Sequence, residues 1–265
     1  MKRRITILGC GSSGGVPRVA QGWGACNPDN PRNRRRRCSV LIEQASGEGK
    51  TTVLVDASPD LREQLLGAEV DRIDGVLITH SHADHTHGLD DLRPLFLAMR
   101  RRVDVHMDEA TSNVVRAAFS YLFESPAGSF YPPILNERRL SPGRACSLAG
   151  PGGVIEATPF IVEHGEIAAL GFRVGDLAYT PDLNGVGAAS LAYLENLDIW
   201  IIDALRYRGH SSHLTVDEAL GWIAKMRPRR AIVTNLHTDL DYEELARRLP
   251  DNVEPAYDGL TIEGI

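Results

Sequence analysis

Four side chains that commonly bind metal ions lie within six residues: His80, His82, Asp84 and His85. They directly follow an apolar run, residues 75–78, which we predict to be a buried strand. Alternate side chains of an extended segment point the same way, so His80 and His82 can reach one ion together. Asp84 and His85 follow after the chain has bent and can face a second point. Imidazole and carboxylate are ligands for zinc, manganese and iron, so the segment predicts a metal site rather than a solvated polar loop.

Three further ligand-type residues follow predicted strands in the second half of the chain: His164, Asp182 and His237. Loops that leave one edge of a sheet converge, so all seven side chains could line one cleft. A single zinc needs only three or four protein ligands, and seven candidates therefore suggest two ions about 3.5–4 Å apart. Two ions suit hydrolysis of phosphate esters, because they lower the pKa of the attacking water and neutralise charge on oxygen.

The elements that must position these residues alternate between strands and helices. The chain has 265 residues, and each half begins with a predicted antiparallel hairpin, the first over residues 39–43 and 52–56. We predict later strands at residues 154–162, 197–203 and 230–235, helices at 89–99 and 109–123, and a proline-containing surface excursion at 125–142. No linker-like change of composition divides the halves. The pattern favours a single α/β domain over residues 1–265, built of two packed mixed β-sheets with outer helices.

Composition narrows the function classes. Hydrophobic residues make up 43% of the chain and the formal net charge is −6, which argues against a general nucleic-acid binder. The four cysteines (Cys10, Cys26, Cys38 and Cys146) form no C-x-x-C pair, which favours a reduced protein. The first residues contain too short an apolar run for a signal peptide, and no segment is long enough to cross a membrane. We therefore expect a cytoplasmic protein with no membrane partner.

Two early motifs need a physical interpretation. Residues 9–14 match G-x-G-x-x-G, but the glycines and prolines that follow leave no room for the helix a dinucleotide fingerprint requires. The glycines instead allow a loop to approach other backbone closely. Residues 34–37 are four consecutive arginines, which are either a solvated surface run or a contact for a phosphate group.

The H-x-H-x-D-H order of residues 80–85, with His164, Asp182, His237 and the early Asp56, resembles the metallo-β-lactamase superfamily over essentially the whole chain. Within that superfamily, residues 8–17, 55–60 and 203–214 are similar to the phosphoribosyl 1,2-cyclic phosphate phosphodiesterase family. The resemblance implies an αβ/βα sandwich with two metal ions at its edge. It also favours a homodimer.

The resemblance implies a role for each site residue. One ion would be held by His80, His82, His164 and Asp182, and the other by Asp84, His85, Asp182 and His237, with Asp182 as the bridge. His213 would be the general acid that protonates the leaving alkoxide, which an imidazole with a pKa near neutrality can do. His213 and Asp84 are thus the predicted catalytic residues, and His210 and Arg206 the predicted substrate contacts. His210 could equally support the residues that contact the substrate without touching the substrate itself. Asp56 is predicted to hydrogen-bond a ligand histidine.

Two departures from the family stand out. Cys26 alone remains of a cysteine-rich structural zinc site found in several members. Asn235 stands where many relatives carry histidine, so that His237 is the only histidine in the last ligand segment.

The leading hypothesis is a phosphodiesterase that uses two divalent ions, zinc or manganese and less readily iron, to open a cyclic phosphate on a ribose or nucleotide. On this hypothesis the protein binds a small phosphate ester as its substrate, and we do not expect it to bind nucleic acid. The alternatives are a tRNA-processing endonuclease like ribonuclease Z, a lactonase, thioesterase or β-lactamase, and a binding module with a vestigial metal site. A basic Gly/Pro-rich RNA-gripping arm, which the first of these needs, is not evident in the sequence.

Overall fold

Two seven-stranded sheets form the framework of the computed structural model, which describes residues 2–264. The first sheet contains β1 (Lys2–Gly9), β2 (Ser39–Ser46), β3 (Gly49–Val55), β4 (Gly75–Leu77), β5 (Val103–Met107), β6 (Leu135–Arg139) and β14 (Thr261–Glu263). The second contains β7 (Cys146–Gly150), β8 (Gly153–His164), β9 (Ile167–Val174), β10 (Leu177–Thr180), β11 (Ile199–Asp203), β12 (Arg230–Thr234) and β13 (Val253–Pro255).

Each sheet is antiparallel on one side and parallel on the other. The first has the order β14-β1-β2-β3-β4-β5-β6, and the second β13-β12-β11-β10-β9-β8-β7. In the first sheet the neighbours in the series β14-β1-β2-β3 are antiparallel, and those in the series β3-β4-β5-β6 are parallel. In the second sheet the neighbours in the series β7-β8-β9-β10 are antiparallel, and those in the series β10-β11-β12-β13 are parallel. The two halves of the chain therefore use the same pattern of pairing.

Helices connect the parallel strands, since a parallel pair needs a crossover. They are α1 (Leu61–Gly67), α2 (Ala83–Thr86), α3 (Arg93–Met99), α4 (Glu109–Ala118), α5 (Ser120–Phe123), α6 (Val216–Met226) and α7 (Tyr242–Arg248). Short 3₁₀ helices lie at Pro31–Asn33, Leu89–Leu92 and Ala188–Leu194. Helix α6 begins with a capping box, in which Thr215 accepts from the Glu218 amide and Glu218 accepts from the Thr215 amide.

Three buried apolar layers hold the sheets and helices together. In β3, Val53 and Val55 face the second sheet, while Leu54 faces the helices that cover the first. In β11, Ile201 likewise joins the layer between the sheets and Trp200 the layer under the outer helices. Because both faces of these strands are covered, their sequences are continuously apolar rather than alternating.

The architecture confirms the predicted αβ/βα sandwich of two mixed sheets with outer helices. Two local predictions were wrong: strand β6 lies inside the predicted surface excursion, and the predicted helix 109–123 is interrupted at Phe119. No helix among residues 2–264 is long and apolar enough to cross a membrane. The single domain, the homodimer and the cytoplasmic location stay predictions.

Candidate metal centre

The ligand-type residues lie where strands of both sheets end. His80 and His82 follow β4, and His85 lies in the short helix α2. His164 is the last residue of β8, and Asp182 follows β10. The amide of Leu170 donates to the carbonyl of Thr79 over 2.8 Å, which ties the β4 loop of the first sheet to β9 of the second. The centre is therefore built at the seam between the two sheets.

The first donor group consists of His80, His82, His164 and Asp182. Nδ1 of His82 lies 2.9 Å from Nε2 of His80 and 3.3 Å from Nε2 of His164. Oδ2 of Asp182 lies 3.7 Å from Nε2 of His80 and 3.6 Å from Nε2 of His164. Tetrahedral ligands bonded to zinc at about 2.1 Å stand about 3.4 Å apart, so these separations suit one tetrahedral ion.

The second donor group consists of Asp84, His85 and Asp182. Nε2 of His85 lies 3.5 Å from Oδ2 of Asp84 and 3.4 Å from Oδ1 of Asp182. The two carboxylate oxygens of Asp182 thus face different groups, Oδ2 the first and Oδ1 the second. A carboxylate in this position can bridge two ions.

Hydrogen bonds on the far side of three imidazoles fix which nitrogen faces the centre. Nδ1 of His85 donates to Asp56 over 2.7 Å, and Nδ1 of His164 donates to the carbonyl of Ser212 over 2.7 Å. Nδ1 of His80 lies 3.0 Å from the hydroxyl of Thr79, which in turn donates to Asp56. Each Nε2 therefore turns a lone pair inward, the arrangement that outer partners impose on metal-binding histidines. Converging lone pairs repel one another unless a cation lies between them, so the residues fit a divalent metal ion.

The pKa values of the histidines shift in opposite directions in the two donor groups. Burial lowers the pKa of His80 well below its ordinary value and also lowers that of His164, which keeps both imidazoles neutral and able to bind a metal. Burial acts in the same direction on His85, but the carboxylates of Asp182, Asp56 and Asp84 outweigh it and raise the pKa of His85 well above the ordinary value. Negative charge is thus concentrated around the second group, where a cation would replace the proton.

His213 lies beside the centre and is oriented by a buried carboxylate. Its Nδ1 donates to Oδ2 of Asp203 over 2.8 Å, and its Nε2 lies 4.0 Å from Oδ2 of Asp182. Burial raises the pKa of Asp203 to about 7. For His213, burial disfavours the imidazolium, but Asp203 and Asp182 favour it and raise the pKa. The imidazole can therefore hold a proton on the nitrogen that faces the donor groups.

His237 is in neither donor group, although it lines the same cleft as Asp84 and Asp182. Arg18 Nη1 donates to its Nε2 over 2.7 Å, and its Nδ1 lies 3.3 Å from Oδ1 of Asp239. The side chain that reaches the centre from β12 is Asn235, which is buried. Its amide Nδ2 donates to Oδ1 of Asp203 over 3.1 Å and lies 3.4 Å from Oδ1 of Asp182. The structure thus brings together six of the seven predicted ligands and leaves the assignment of His237 untested.

A cleft of about 240 Å³ opens over the centre, and the predicted contacts Arg206 and His210 line it. The Arg206 guanidinium donates to the carbonyls of Arg208 and Gly209 over 3.1 and 2.9 Å, which holds it at the rim. His210 is exposed, and its ring centroid lies 5.0 Å from that of His213.

Sequence reasoning missed several residues of this cleft. Ser12, Arg18 and Asn235 line it, and Asp203 lies behind His213. The Ser12 hydroxyl is buried and has no hydrogen-bond partner among residues 2–264. The glycine-rich loop carries Ser12 there because Gly11 allows close packing: its amide donates to the carbonyl of Arg36 over 2.7 Å, and a Cβ would lie 2.9 Å from the carbonyl of Arg35. The sequence signals for these residues were the position of Asp203 at the end of an apolar strand and the similarity of residues 8–17 and 203–214 to the phosphodiesterase family.

Comparison with known proteins now identifies the family. The model of the beta-lactamase superfamily domain matches residues 51–235, which contain both donor groups and His213. The chain belongs to the beta-lactamase superfamily. The superfamily match agrees with the observed fold, so the protein is a hydrolase of the metallo-β-lactamase fold. It contains a histidine/aspartate cluster that could bind metal ions.

The chain is similar to a diphosphatase, to PqqB and to an octanoyltransferase. A crystal structure of a diphosphatase from the PhnP family is 35% identical, with a TM-score of 0.89, and the match covers 100% of this chain and 98% of that one. Zn²⁺-bound PqqB from Methylobacterium extorquens is 19% identical with a TM-score of 0.73, covering 98% and 99% of the two chains, and shows the shared fold.

The octanoyltransferase of Porphyromonas gingivalis (strain ATCC BAA-308 / W83) is 32% identical over 262 residues, 97% of this chain. The match covers 51% of that protein, so the chain spans about half the length of this relative. The likeness to the PhnP-family diphosphatase, in contrast, covers 100% of this chain and 98% of that one.

Proposed function

We propose that this hydrolase cleaves a phosphoric ester bond of a ribose or nucleotide, with a cyclic phosphate as the substrate, using two divalent ions. The observation that carries the proposal is the placement of His213, whose Nε2 lies 4.0 Å from the shared Asp182 while Asp203 holds its other nitrogen. Ions bound at the two donor groups would lower the pKa of water and neutralise charge on the phosphate oxygens. The likeness to a PhnP-family diphosphatase supports phosphorus as the reacting centre.

Side chains of this protein would donate the proton to the leaving group and position the substrate. His213 would give its proton to the leaving alkoxide, which is a poor leaving group without an acid. Asp203 keeps the His213 ring in one orientation and favours its protonated form. Arg206 at the rim would contact a phosphate oxygen, and His210 would lie beside the substrate. Asp84 offers the oxygen of the second donor group that is most open to the cleft, since 16% of its side chain is exposed.

The experiment is a hydrolysis panel with protein loaded with zinc or manganese: 1,2-cyclic ribosyl phosphates, 2′,3′-cyclic nucleotides, diphosphate esters, pre-tRNA, lactones and thioesters. We expect the cyclic phosphates to be cleaved best and a chelator to abolish the activity. Preferential cleavage of pre-tRNA would favour the ribonuclease Z-like alternative, and preferential cleavage of lactones or thioesters would favour acyl hydrolysis. Either result contradicts the proposal.

Substitution of His213 tests the role of the acid. His213→Ala should lower kcat for a cyclic ester by about 10²–10⁴-fold while metal content is unchanged. The loss should be smaller for a diphosphate ester, because a leaving phosphate needs little protonation. His87→Ala is the matched control, since His87 is exposed and its ring packs against Phe119 at 5.3 Å between centroids. Full turnover by metal-loaded His213→Ala would remove His213 from the mechanism.

A further inference from the structure

His210 is the outer member of a row of three imidazoles that begins at the metal centre. The ring centroid of His213 lies 4.7 Å from that of His164 and 5.0 Å from that of His210. His164 is buried, His213 is half-buried and His210 is exposed, so the row runs from the first donor group to the open side of the cleft. A group bound beside His210 is therefore farther from the donor groups than the leaving oxygen that His213 would protonate.

The loop that carries His210 is anchored on both sides of this residue. Before His210, the Arg206 guanidinium donates to two backbone carbonyls of the loop over 3.1 and 2.9 Å. After it, the carbonyl of Ser212 accepts from Nδ1 of His164 over 2.7 Å, which ties the loop to the first donor group. These bonds hold His210 in place relative to the centre before a substrate binds, and such preorganisation lowers the cost of binding.

A backbone amide determines which nitrogen of His210 carries the proton. The amide of Ser212 donates to Nδ1 of His210 over 3.3 Å, and the Ser212 hydroxyl lies 3.2 Å from the same nitrogen. Because an amide N–H can only donate, Nδ1 must present its lone pair, and the proton of the neutral imidazole is then on Nε2. Both hydrogen bonds that His210 makes within residues 2–264 involve Nδ1, which leaves Nε2 for a bound molecule.

His213 has the opposite arrangement of protons. Its Nδ1 donates to Asp203 over 2.8 Å, so its Nε2 carries a proton only in the imidazolium form. The partial burial of His210 and the positive charges of His213 and Arg206 lower the pKa of His210, which favours its neutral form. The two adjacent imidazoles therefore suit different tasks: His213 can give up a proton, whereas His210 offers a constant N–H donor.

We propose that the Nε2–H group of His210 donates a hydrogen bond to the furanose ring oxygen of the substrate, on the sugar that carries the leaving oxygen. The donor groups would hold the reacting phosphate and His213 the leaving oxygen, so the sugar is the part of the substrate that reaches His210. The proposal rests on the proposed function for the identity of the reaction. It makes His210 a residue that determines specificity for furanosyl esters over esters of other alcohols.

The ring oxygen is the acceptor that best matches a constant donor. In a ribonucleoside 2′,3′-cyclic phosphate both neighbouring hydroxyl groups are esterified, so the ring oxygen is the nearest acceptor that remains on the sugar. It can only accept, whereas a hydroxyl could pair with either tautomer of an imidazole. A substrate that lacks this oxygen would leave the Nε2–H group unpaired, which is the basis of strong discrimination by polar sites.

A matched pair of substrates tests this hydrogen bond: adenosine 2′,3′-cyclic phosphate and its carbocyclic analogue, in which a methylene group replaces the ring oxygen. In wild type we expect kcat/KM to be about 3–10-fold higher for the ribose compound, the usual contribution of a neutral hydrogen bond. His210→Phe keeps a ring but has no donor, so it should remove the preference. His210→Gln should retain it, because the side-chain amide of glutamine can replace the Nε2–H donor.

His87→Phe is the matched control. His87 is also exposed and packs against an aromatic ring, that of Phe119 at 5.3 Å between centroids, but it lies outside the lining of the cleft. The preference for the ribose compound should be unchanged in this variant. An equal loss of kcat/KM for both compounds in His210→Phe would show that His210 contacts another part of the substrate, and would overturn the proposal. Equal kcat/KM values for the two compounds in wild type would also overturn it.

Nitrogen NMR of the zinc-loaded protein tests the tautomer without any turnover. The signals of His210 are those that disappear in His210→Gln. At neutral pH we expect an unprotonated Nδ1 and a protonated Nε2. A proton on Nδ1 would contradict the proposal, because Nε2 would then be an acceptor.

A calorimetric titration of the zinc-loaded protein separates this hydrogen bond from the reaction. Adenosine 3′-phosphate should bind about 3–10-fold more tightly than its carbocyclic analogue to wild type, and equally tightly to His210→Phe. This pattern of binding without turnover of any cyclic phosphate contradicts the proposed function alone. Turnover of both cyclic compounds, with a preference that is the same in wild type and His210→Phe, contradicts the role of His210 alone.

Discussion

The two donor groups of the centre are built differently although they share Asp182. The first has three imidazoles and one carboxylate, and both sheets contribute to it through His82 and His164. The second has one imidazole and two carboxylates, and Asp84 and His85 come from a single short segment. Nitrogen-rich tetrahedral groups suit zinc, whereas oxygen-rich groups suit harder ions such as manganese. The centre therefore offers two sites of unequal chemistry.

The two donor groups also differ in the number of metal-binding side chains that they supply. The first group supplies the four donors of a closed tetrahedral site, but the second supplies three. Next to the second group lies the amide of Asn235, whose Nδ2 is 3.4 Å from Oδ1 of Asp182. The Nδ2 group of an amide is a hydrogen-bond donor without a free lone pair, so it supplies no fourth ligand. We therefore expect the ion of the second group to bind more weakly and to exchange more readily.

The largest effect should come from the residue that the two groups share. Asp182→Asn keeps the shape of the side chain but removes the charge and replaces one of the two oxygens that face different donor groups. We expect metal affinity at both groups to fall by more than the about 10–100-fold typical of outer partners, and turnover to fall with it. Metal content after dialysis and a calorimetric zinc titration measure this.

Asp176→Asn is the control for this substitution. Asp176 lies in the tight turn between β9 and β10, and its side chain is 64% exposed. Among residues 2–264 its carboxylate pairs only with Arg173, at 3.7 Å. It should bind metal like wild type. Loss of one ion and retention of the other at full affinity in Asp182→Asn would show that the groups do not share this carboxylate.

A smaller and asymmetric effect should follow from Asp56→Asn. Asp56 accepts directly from His85 in the second group, but reaches His80 of the first only through the hydroxyl of Thr79. Asp56 has a φ of +64°, a conformation that asparagine also tolerates, so the variant should fold. We expect about 10–100-fold weaker binding at the second group and a smaller change at the first.

A two-step metal titration resolves the Asp56→Asn effect, with thermal unfolding of the metal-free protein as the control for stability. Equal weakening at both groups would contradict the asymmetry argued above. It would indicate that the Thr79 hydroxyl transmits the loss of the carboxylate fully to His80.

Local sequence predicts much of this centre because its ligands lie at strand ends. The run before His80 and the run before Asp203 are continuously apolar, as strands buried on both faces must be, so their ends could be located. The edge strands β7 and β13 could not be predicted in this way. They are short, and the alternation in Val253–Pro255 covers too few residues to predict a strand.

The sequence could not indicate which of two neighbouring side chains reaches the centre after β12. Asn235 adopts a φ of +62°, which turns the chain so that Asn235 faces Asp182 while His237 faces Arg18. Residue type favoured His237, because histidine is the better ligand. The left-handed residue Asn235 at the end of β12 brings its own amide beside Asp182, and such a turn has no periodic signal. The long-range partner Arg18 is likewise invisible until the chain is folded.

The smallest effect should come from His237, and it decides the remaining ligand prediction. In the structure its Nε2 accepts from Arg18, so that nitrogen is already engaged, and His237 is in neither donor group. We expect His237→Ala to weaken metal binding at the second group by less than about tenfold, the lower limit for partners that act through a ligand. Metal stoichiometry and the two-step titration provide the measurement. If His237→Ala instead loses one ion per chain while the first group keeps its own, His237 is a ligand as the family resemblance implies, and Arg18 must release it when the ion binds. The second group would then have four donors, and the contrast between a complete and an incomplete site would reduce to a contrast in ligand type.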